Sequence, residues 1–129
     1  MKIPAYHPVR LQSGAPASPS ELRRYLGDHA PEAMFTLGNA GTLRTKKVAL
    51  FCSVRCPGEL ILKTYDLARA LRDTGVTVVG GFHSPMEKEC LLLLLRGSQP
   101  LIICLARSLN GMRIPTAWRT PLSRGRLLL

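Results

Sequence analysis

Short apolar runs alternate with segments of helical spacing along most of this chain. Three continuous apolar runs are typical of buried parallel strands, and they cover residues 47–52, 76–79 and 100–105. Two segments between them place apolar residues at helical spacing, at 58–74 and 84–95. Glycines at positions 75 and 97 follow these segments, as expected where helices end. The pattern therefore predicts strands and helices in alternation.

This alternation predicts an α/β fold, because consecutive parallel strands need crossover connections that helices usually provide. We expect a Rossmann-like three-layer fold with a parallel sheet of about four strands and helices on both faces. Residues 37–129 form this domain. Residues 1–36 form an N-terminal arm with a short helix between Ser20 and Gly27.

The C-terminal part of the chain gives a weaker pattern. Residues 106–126 hold two glycines and two prolines, which predict a loop with at most one helical turn. Residues 127–129 are three leucines that resemble a strand at its beginning, so the predicted domain is incomplete at its C-terminus. An exposed apolar edge strand tends to pair with another chain. We therefore predict a homo-dimer or larger oligomer, or a truncated chain.

The net charge of the chain indicates a class of binding partner. The 129 residues contain 18 Lys and Arg against 8 Asp and Glu, a net charge of +10 that favours a polyanionic partner. After Glu89 every charged residue is an arginine, a side chain that forms forked hydrogen bonds to phosphate. These arginines are Arg96, Arg107, Arg113, Arg119, Arg124 and Arg126. The alternative is a solvated basic face that only improves solubility.

Several classes of protein are disfavoured. The first ten residues lack the apolar segment of a signal peptide, and no apolar run approaches the ~20 residues of a membrane span. We expect a cytoplasmic protein without membrane contact. Its four cysteines show no CxxC spacing, which predicts neither a metal site nor a disulfide; they are Cys52, Cys56, Cys90 and Cys104.

Two strand-to-helix junctions carry the candidate chemistry. The first, Cys52 to Gly58, contains Ser53 and Arg55. The second places two glycines, a histidine and a capping serine before a helix, and these residues are Gly80, Gly81, His83 and Ser84. Ligands of parallel sheets bind beyond the carboxyl ends of strands, where helix N-termini offer free N–H groups. We predict that these six residues bind phosphate, with additional basic contacts from Arg107 and Arg113.

Other residues at the junctions have simpler interpretations. Glu87 completes a capping box with Ser84. His83 has no visible catalytic partner, and Trp118 fits a loop anchor better than a base-stacking platform. No P-loop, dinucleotide-binding or nucleophile-elbow motif occurs, and no pair of carboxylates lies in the two junctions. We therefore expect no catalytic residue and no cofactor, and an enzyme is the less favoured interpretation.

The segment from Lys47 to Leu94 resembles the Rossmann-like core of the DNA-processing protein A (Smf) family. Residues 52–55, Cys-Ser-Val-Arg, stand where that family has a Gly-Ser-Arg type of turn. Residues 78–87 match its second strand and glycine turn, with His-Ser-Pro in place of Gly-Ile-Asp. Residues 99–104 and 125–129 are similar to its third and fourth strands. The chain is thus similar to a divergent or truncated member.

The resemblance implies a function in DNA processing, uptake and recombination. Family members bind single-stranded DNA in a basic pocket, dimerise and help to load a recombinase during natural transformation. For this chain it implies a phosphate pocket of Ser53, Arg55, Gly80 and Gly81, and a recombinase as partner. Two alternatives stay open, a nucleotide-binding sensor and an enzyme similar to nucleotide-ribose hydrolases.

Overall fold

The computed structural model describes residues 6–129, so the first five residues of the predicted arm lie outside the described part of the chain. The N-terminal segment contains β1 (Val9–Gln12), α1 (Ser20–Leu26) and β2 (Ala33–Thr36). Gly27 caps α1, so the short helix lies where the sequence predicts it. The antiparallel pairing of β1 with β2 was not predicted, because both strands are short and largely exposed, without a clear apolar alternation.

The main sheet contains four parallel strands in chain order. They are β3 (Lys47–Ala49), β4 (Thr77–Gly80), β5 (Leu101–Ile103) and β6 (Leu127–Leu128). The helices that connect them are α2 (Gly58–Thr74), α3 (Pro85–Leu95) and α4 (Thr116–Ser123). The predicted α/β, Rossmann-like fold with about four parallel strands is confirmed, but the helices expected on both faces are not found there, because all three connecting helices lie on one face.

All three connecting helices lie on one face of the sheet. Right-handed crossovers that always step in the same direction place every helix on the same side. The in-register side chains of Val78, Leu101 and Leu127 point to this face. They pack there with helical residues that have no exposed surface, namely Ala68, Cys90 and Leu94. This is the hydrophobic core of the domain.

The N-terminal segment covers the opposite face in part. A turn of 3-10 helix (Ala40–Arg44) follows β2, and both elements contribute to the lining of an apolar cavity of about 440 Å³. Ile102 and Leu128 lie in register and form its floor. Toward β3 the same face is open, since Ala49 is exposed and Phe51 is 81% exposed. The second layer is thus built by the N-terminal segment and leaves the β3 side bare.

The three C-terminal leucines are buried, so the prediction of an exposed edge is wrong. The backbone of Leu37 exchanges two hydrogen bonds with Leu129, of 3.0 and 2.9 Å, and the N–H of Asn39 donates to the carbonyl of Leu127. Leu129, the most exposed of the three, is only 6% exposed. Residues 37–39 therefore close this edge antiparallel to β6. Oligomer formation stays a prediction that this edge no longer supports.

The helix α4 replaces the predicted loop. Pro121 lies inside it and cannot donate a helical hydrogen bond, which is why the sequence pattern argued against a helix here. Both Pro121 and Leu122 are buried against the core, and Trp118 is half-buried there. Burial of these side chains outweighs the missing hydrogen bond.

Arg126 ties the end of α3 to the beginning of β6. Its guanidinium donates to the carbonyl oxygens of Leu94 at 2.7 Å, Leu95 at 3.1 Å and Gln99 at 2.7 Å. The last carbonyls of a helix lack partners within the helix, so a cation at this end is stabilising. Burial lowers the pKa of Arg126, and Arg124 adds to that effect. This member of the predicted phosphate-binding arginines therefore has a structural role.

We expect Arg126→Lys to lower the free energy of unfolding by about 2 kcal/mol, because one ammonium cannot reproduce the three forked hydrogen bonds. Urea denaturation followed by circular dichroism measures the change. Arg124→Lys is the control, since Arg124 is exposed and should tolerate the exchange. Equal stability of the two variants would contradict the structural role of Arg126.

Candidate functional site

Two loops meet at the carboxyl ends of β3 and β4. The strands pair in parallel with Ala49 beside Val79, and the N–H of Leu50 extends the ladder by donating to Val79. Residues 51–57 and 81–84 therefore leave the sheet side by side. The structure places Ser53 and Arg55 in the first loop, and it places Gly81 and His83 in the second, next to Gly80 at the end of β4.

A buried carboxylate joins the two loops. Oε1 of Glu87 accepts the N–H of Cys52 at 2.9 Å, and Oε2 accepts the N–H groups of His83 at 2.8 Å and Ser84 at 3.0 Å. The hydroxyl of Ser84 accepts the N–H of Glu87 in return, which completes the predicted capping box. Glu87 is 7% exposed. A single side chain thus fixes the first loop to the N-terminus of α3.

The charge of Glu87 is stabilised in place. Burial alone would raise the pKa of this carboxyl, but the three backbone donors together with the Ser84 hydroxyl outweigh it and hold the pKa below its usual value. The carboxylate accepts the N–H groups of His83 and Ser84, and the Ser84 hydroxyl accepts the N–H of Glu87. The expectation of free N–H groups therefore fails for these three residues.

The two glycines allow close packing of the turn. A Cβ on Gly80 would lie 3.0 Å from the carbonyl oxygen of Leu50 and 3.4 Å from the ring of Phe82. A Cβ on Gly81 would lie 2.6 Å from the ring of His83, so this imidazole covers the glycine. Neither glycine has a positive φ, whereas the next residue, Phe82, has a φ of 54°. These contacts explain the glycines by packing within the protein.

The remaining predicted residues lie at the surface. Ser53, Arg55 and His83 are exposed, whereas Ser84 is buried as a cap. Within residues 6–129 no acidic side chain pairs with Arg55. Among the six predicted loop residues, the exposed side chains are therefore those of Ser53, Arg55 and His83, and Gly81 is partly exposed beside them.

The two additional arginines follow the next strand. Both Arg107 and Arg113 are exposed in the segment between β5 and α4. Arg107 lines the mouth of the 440 Å³ cavity together with Cys104 and Asn110. The six predicted loop residues line neither this cavity nor a wider cleft of about 670 Å³ beside β1 and α1.

Two cysteines near the site, Cys52 and Cys90, have raised pKa values that favour the unreactive thiol. Burial raises the pKa of Cys90 to about 11, and the neighbouring Cys52 adds to that effect. Burial is also the largest cause that raises the pKa of Cys52, followed by the charge of Glu87. Among the described residues no cluster of His, Cys, Asp or Glu could hold a metal ion. No helix in the described part of the chain is long and apolar enough to cross a membrane.

The sequence did not indicate that Glu87 reaches the other loop. Its spacing from Ser84 signals a cap, but the bond to Cys52 joins residues 35 apart and has no local signature. Cys52 supplies only its backbone N–H, which any residue except proline could provide. Such a contact becomes visible only when β3 and β4 are paired.

These elements define a Rossmann-like α/β domain with two loops at the carboxyl ends of adjacent strands. Among solved structures, the chain is similar to DNA processing protein A (DprA) from Streptococcus pneumoniae, with a TM-score of 0.69 and 17% sequence identity. The match covers 98% of this chain and 44% of that chain, so this chain spans less than half the length of its structural relative. No protein-family model and no curated protein matches the sequence significantly. The DprA-like fold is thereby established at low sequence identity.

Proposed function

We propose that this domain binds the phosphate backbone of single-stranded DNA, without catalysis, at the surface formed by the loops 51–57 and 81–84. The observation that carries the proposal is Arg55, an exposed guanidinium without an acidic partner in the described residues. It lies beyond the carboxyl end of β3, and ligands of parallel sheets bind beyond the carboxyl ends of the strands. The similarity in fold to a DNA processing protein supports this assignment.

The rigidity of the first loop favours binding. Glu87 fixes the N–H of Cys52, one residue before Ser53, so the loop that carries Arg55 is anchored at its start. A loop that is anchored at its start loses less conformational entropy on binding than a loop without such an anchor. The net charge of +10 adds long-range attraction for a polyanion.

The shape of the surface favours a polymer over a mononucleotide. Small ligands usually bind in concave cavities that bury most of their surface. The predicted residues line neither of the two cavities described above. A basic surface outside these cavities suits an extended strand, whose phosphates can contact several cations in succession. Arg107 and Arg113 would provide such further contacts.

The same geometry argues against hydrolysis. A general base needs a pKa near the working pH, but the three backbone donors hold the pKa of Glu87 below its usual value. Its two oxygens accept hydrogen bonds from the protein itself, so it cannot easily take a proton from water. Residues 51–57 and 81–84 contain no carboxylate of their own.

We expect Arg55→Ala to weaken binding of a fluorescein-labelled oligothymidylate about tenfold and to lower the slope of log K against log[salt] by about one. Fluorescence anisotropy over a salt series measures both quantities. Arg96→Ala is the matched control, because it removes the same charge at the C-terminus of α3, near the amino ends of the strands. It should leave the slope nearly unchanged.

Three outcomes would overturn the proposal. Equal binding by Arg55→Ala and the unmodified protein would remove the assigned site. Tighter binding of a mononucleotide than of the oligonucleotide in calorimetry would indicate a nucleotide sensor. Release of free base from a nucleoside monophosphate would indicate an enzyme.

A further inference from the structure

We propose that Asn110 is a site of spontaneous deamidation, at which the backbone nitrogen of Gly111 displaces ammonia from the side-chain amide. The product is aspartate or isoaspartate, so the segment between β5 and α4 gains a negative charge between Arg107 and Arg113. This inference does not depend on the proposed binding of DNA. It follows from the residue that comes after Asn110, from the space around Gly111 and from the charges on either side.

The residue after Asn110 is the one that hinders the reaction least. The chain contains two asparagines, Asn39 and Asn110, and only Asn110 is followed by glycine. Because glycine has no Cβ, its backbone nitrogen can approach the preceding side chain more closely than the nitrogen of any other residue. A Cβ on Gly111 would meet no atom within 4 Å, so the surroundings leave space for the chain to rearrange.

Few contacts hold Asn110 in its conformation. Asn110 and Gly111 are exposed and form a turn that one backbone hydrogen bond closes, from the N–H of Met112 to the carbonyl of Leu109 at 3.2 Å. The N–H of Asn110 donates to the hydroxyl of Ser108, also at 3.2 Å, and its side-chain amide has no hydrogen-bond partner within residues 6–129. A turn with so few bonds opens at low cost. The side chain can therefore rotate toward the nitrogen of Gly111.

Asn39 provides the contrast within the same chain. Its side-chain nitrogen donates to the carbonyl of Gly125 at 2.8 Å, and its side-chain oxygen accepts the N–H of Gly41 at 3.0 Å. The residue that follows is Ala40, which begins a turn of 3-10 helix. Attack at Asn39 would break the bond to Gly125 and would be hindered by the Cβ of Ala40. We therefore expect Asn39 to keep its amide.

The reaction needs only water and a base. Hydroxide removes the proton from the N–H of Gly111, and this nitrogen attacks Cγ of Asn110. The C–N bond of the side-chain amide breaks, ammonia leaves and a succinimide ring remains. Water then opens the ring at one of its C–N bonds. Opening at Cγ gives aspartate, whereas opening at the backbone carbonyl gives isoaspartate, in which the chain continues through the side chain.

The neighbouring arginines favour the reaction and attract its product. Arg107 and Arg113 are exposed on either side of Asn110, and residues 90–129 contain no acidic side chain. Negative charge develops on the nitrogen of Gly111 and then on the amide oxygen, and nearby cations stabilise it. The carboxylate that forms is attracted to the same two guanidinium groups. Deamidation thus lowers the charge of a segment that holds both of the additional basic contacts proposed above.

The test follows the mass of one peptide over time. The full chain is incubated at mildly alkaline pH and physiological temperature, and samples are digested with trypsin and analysed by mass spectrometry. Cleavage after Arg107 and Arg113 releases residues 108–113, so a gain in mass is assigned to Asn110. We expect this peptide to convert over days into two products that separate by chromatography. The peptide that contains Asn39 should keep its mass, and a sample digested at once corrects for conversion during digestion.

Variants separate the parts of the proposal. Gly111→Ala should slow the conversion at least about tenfold, because a Cβ hinders attack by the nitrogen. Exchange of both Arg107 and Arg113 for Gln should slow it about threefold, whereas Arg96→Gln, at another exposed arginine, should leave the rate unchanged.

Three results would overturn the proposal. The first is an unchanged mass at Asn110 while a synthetic peptide of residues 108–113 converts under the same conditions, since the fold would then protect the amide. The second is an equal rate in the unmodified chain and in Gly111→Ala. The third is conversion of Asn39 as fast as that of Asn110. No nucleic acid is present in any of these measurements, so they do not test the proposed binding of DNA.

Discussion

Glu87→Gln should lower the free energy of unfolding by about 3 kcal/mol. The carboxylate accepts three backbone N–H groups through two oxygens, whereas a glutamine offers one oxygen and turns its NH₂ group toward a donor. At least one buried N–H then lacks a partner, and the charge that strengthens the other bonds is lost. Urea denaturation measures the change. Glu89→Gln, at an exposed neighbour that only accepts the Tyr65 hydroxyl, should cost less than about 0.5 kcal/mol.

The contribution of Glu87 should depend on pH in a defined direction. Its pKa is lowered in the folded protein, so the carboxylate stabilises the fold fully above the ordinary carboxyl pKa of about 4.3. This stabilisation is lost as the pH falls through the lowered pKa. The difference in stability between the unmodified protein and Glu87→Gln should therefore stay constant above about pH 6 and shrink below about pH 4. A difference that grows on acidification would contradict the assignment.

Gly38→Ala should cost about 4 kcal/mol, the largest effect that we expect from a single methyl group. Gly38 has a φ of 116°, which L-residues rarely adopt. A Cβ at this position would also collide with the carbonyl oxygen of Leu127, a backbone atom held in β6. Strain and collision together would separate residues 37–39 from the strand that they cover. Thermal and urea denaturation measure the loss.

A second glycine provides the control for backbone strain. Gly75 has a φ of 74° at the end of α2, and a Cβ there would meet no atom within 4 Å. Gly75→Ala should therefore cost only about 1 kcal/mol, the usual penalty of a left-handed conformation. Equal stability of Gly38→Ala and Gly75→Ala would contradict the expected collision between a Cβ at position 38 and the backbone of Leu127.

The sequence predicts the central α/β units well and the flanking segments poorly. The helices at 58–74 and 85–95 have clear apolar spacing and definite ends, so local signals agree with the final packing. The pairing of Leu37 with Leu129 and the helix that contains Pro121 depend on contacts between distant residues. Neither has a local pattern from which to predict it. In both cases burial in the final fold outweighs the preference of the segment.

The candidate site is predictable in position but not in detail. The order of strand, small residues and capped helix correctly indicates where the loops lie. The sequence does not show that Glu87 accepts the N–H groups of both His83 and Ser84, since that requires knowledge of side-chain direction. The proposed phosphate contact therefore rests on the side chain of Arg55 and not on the amides of His83 and Ser84.

The antiparallel cover of β6 has a consequence for the folding rate. Asn39 donates from its side chain to the carbonyl of Gly125 at 2.8 Å, a contact between residues 86 apart in the sequence. Together with the Leu37–Leu129 pair, it closes almost the entire domain into one loop. Contacts of such high sequence separation raise the contact order, and closing them is entropically costly. The units from β3 to β5 can form from nearer contacts, whereas the edge at β6 can be covered only after residues 125–129 are in place.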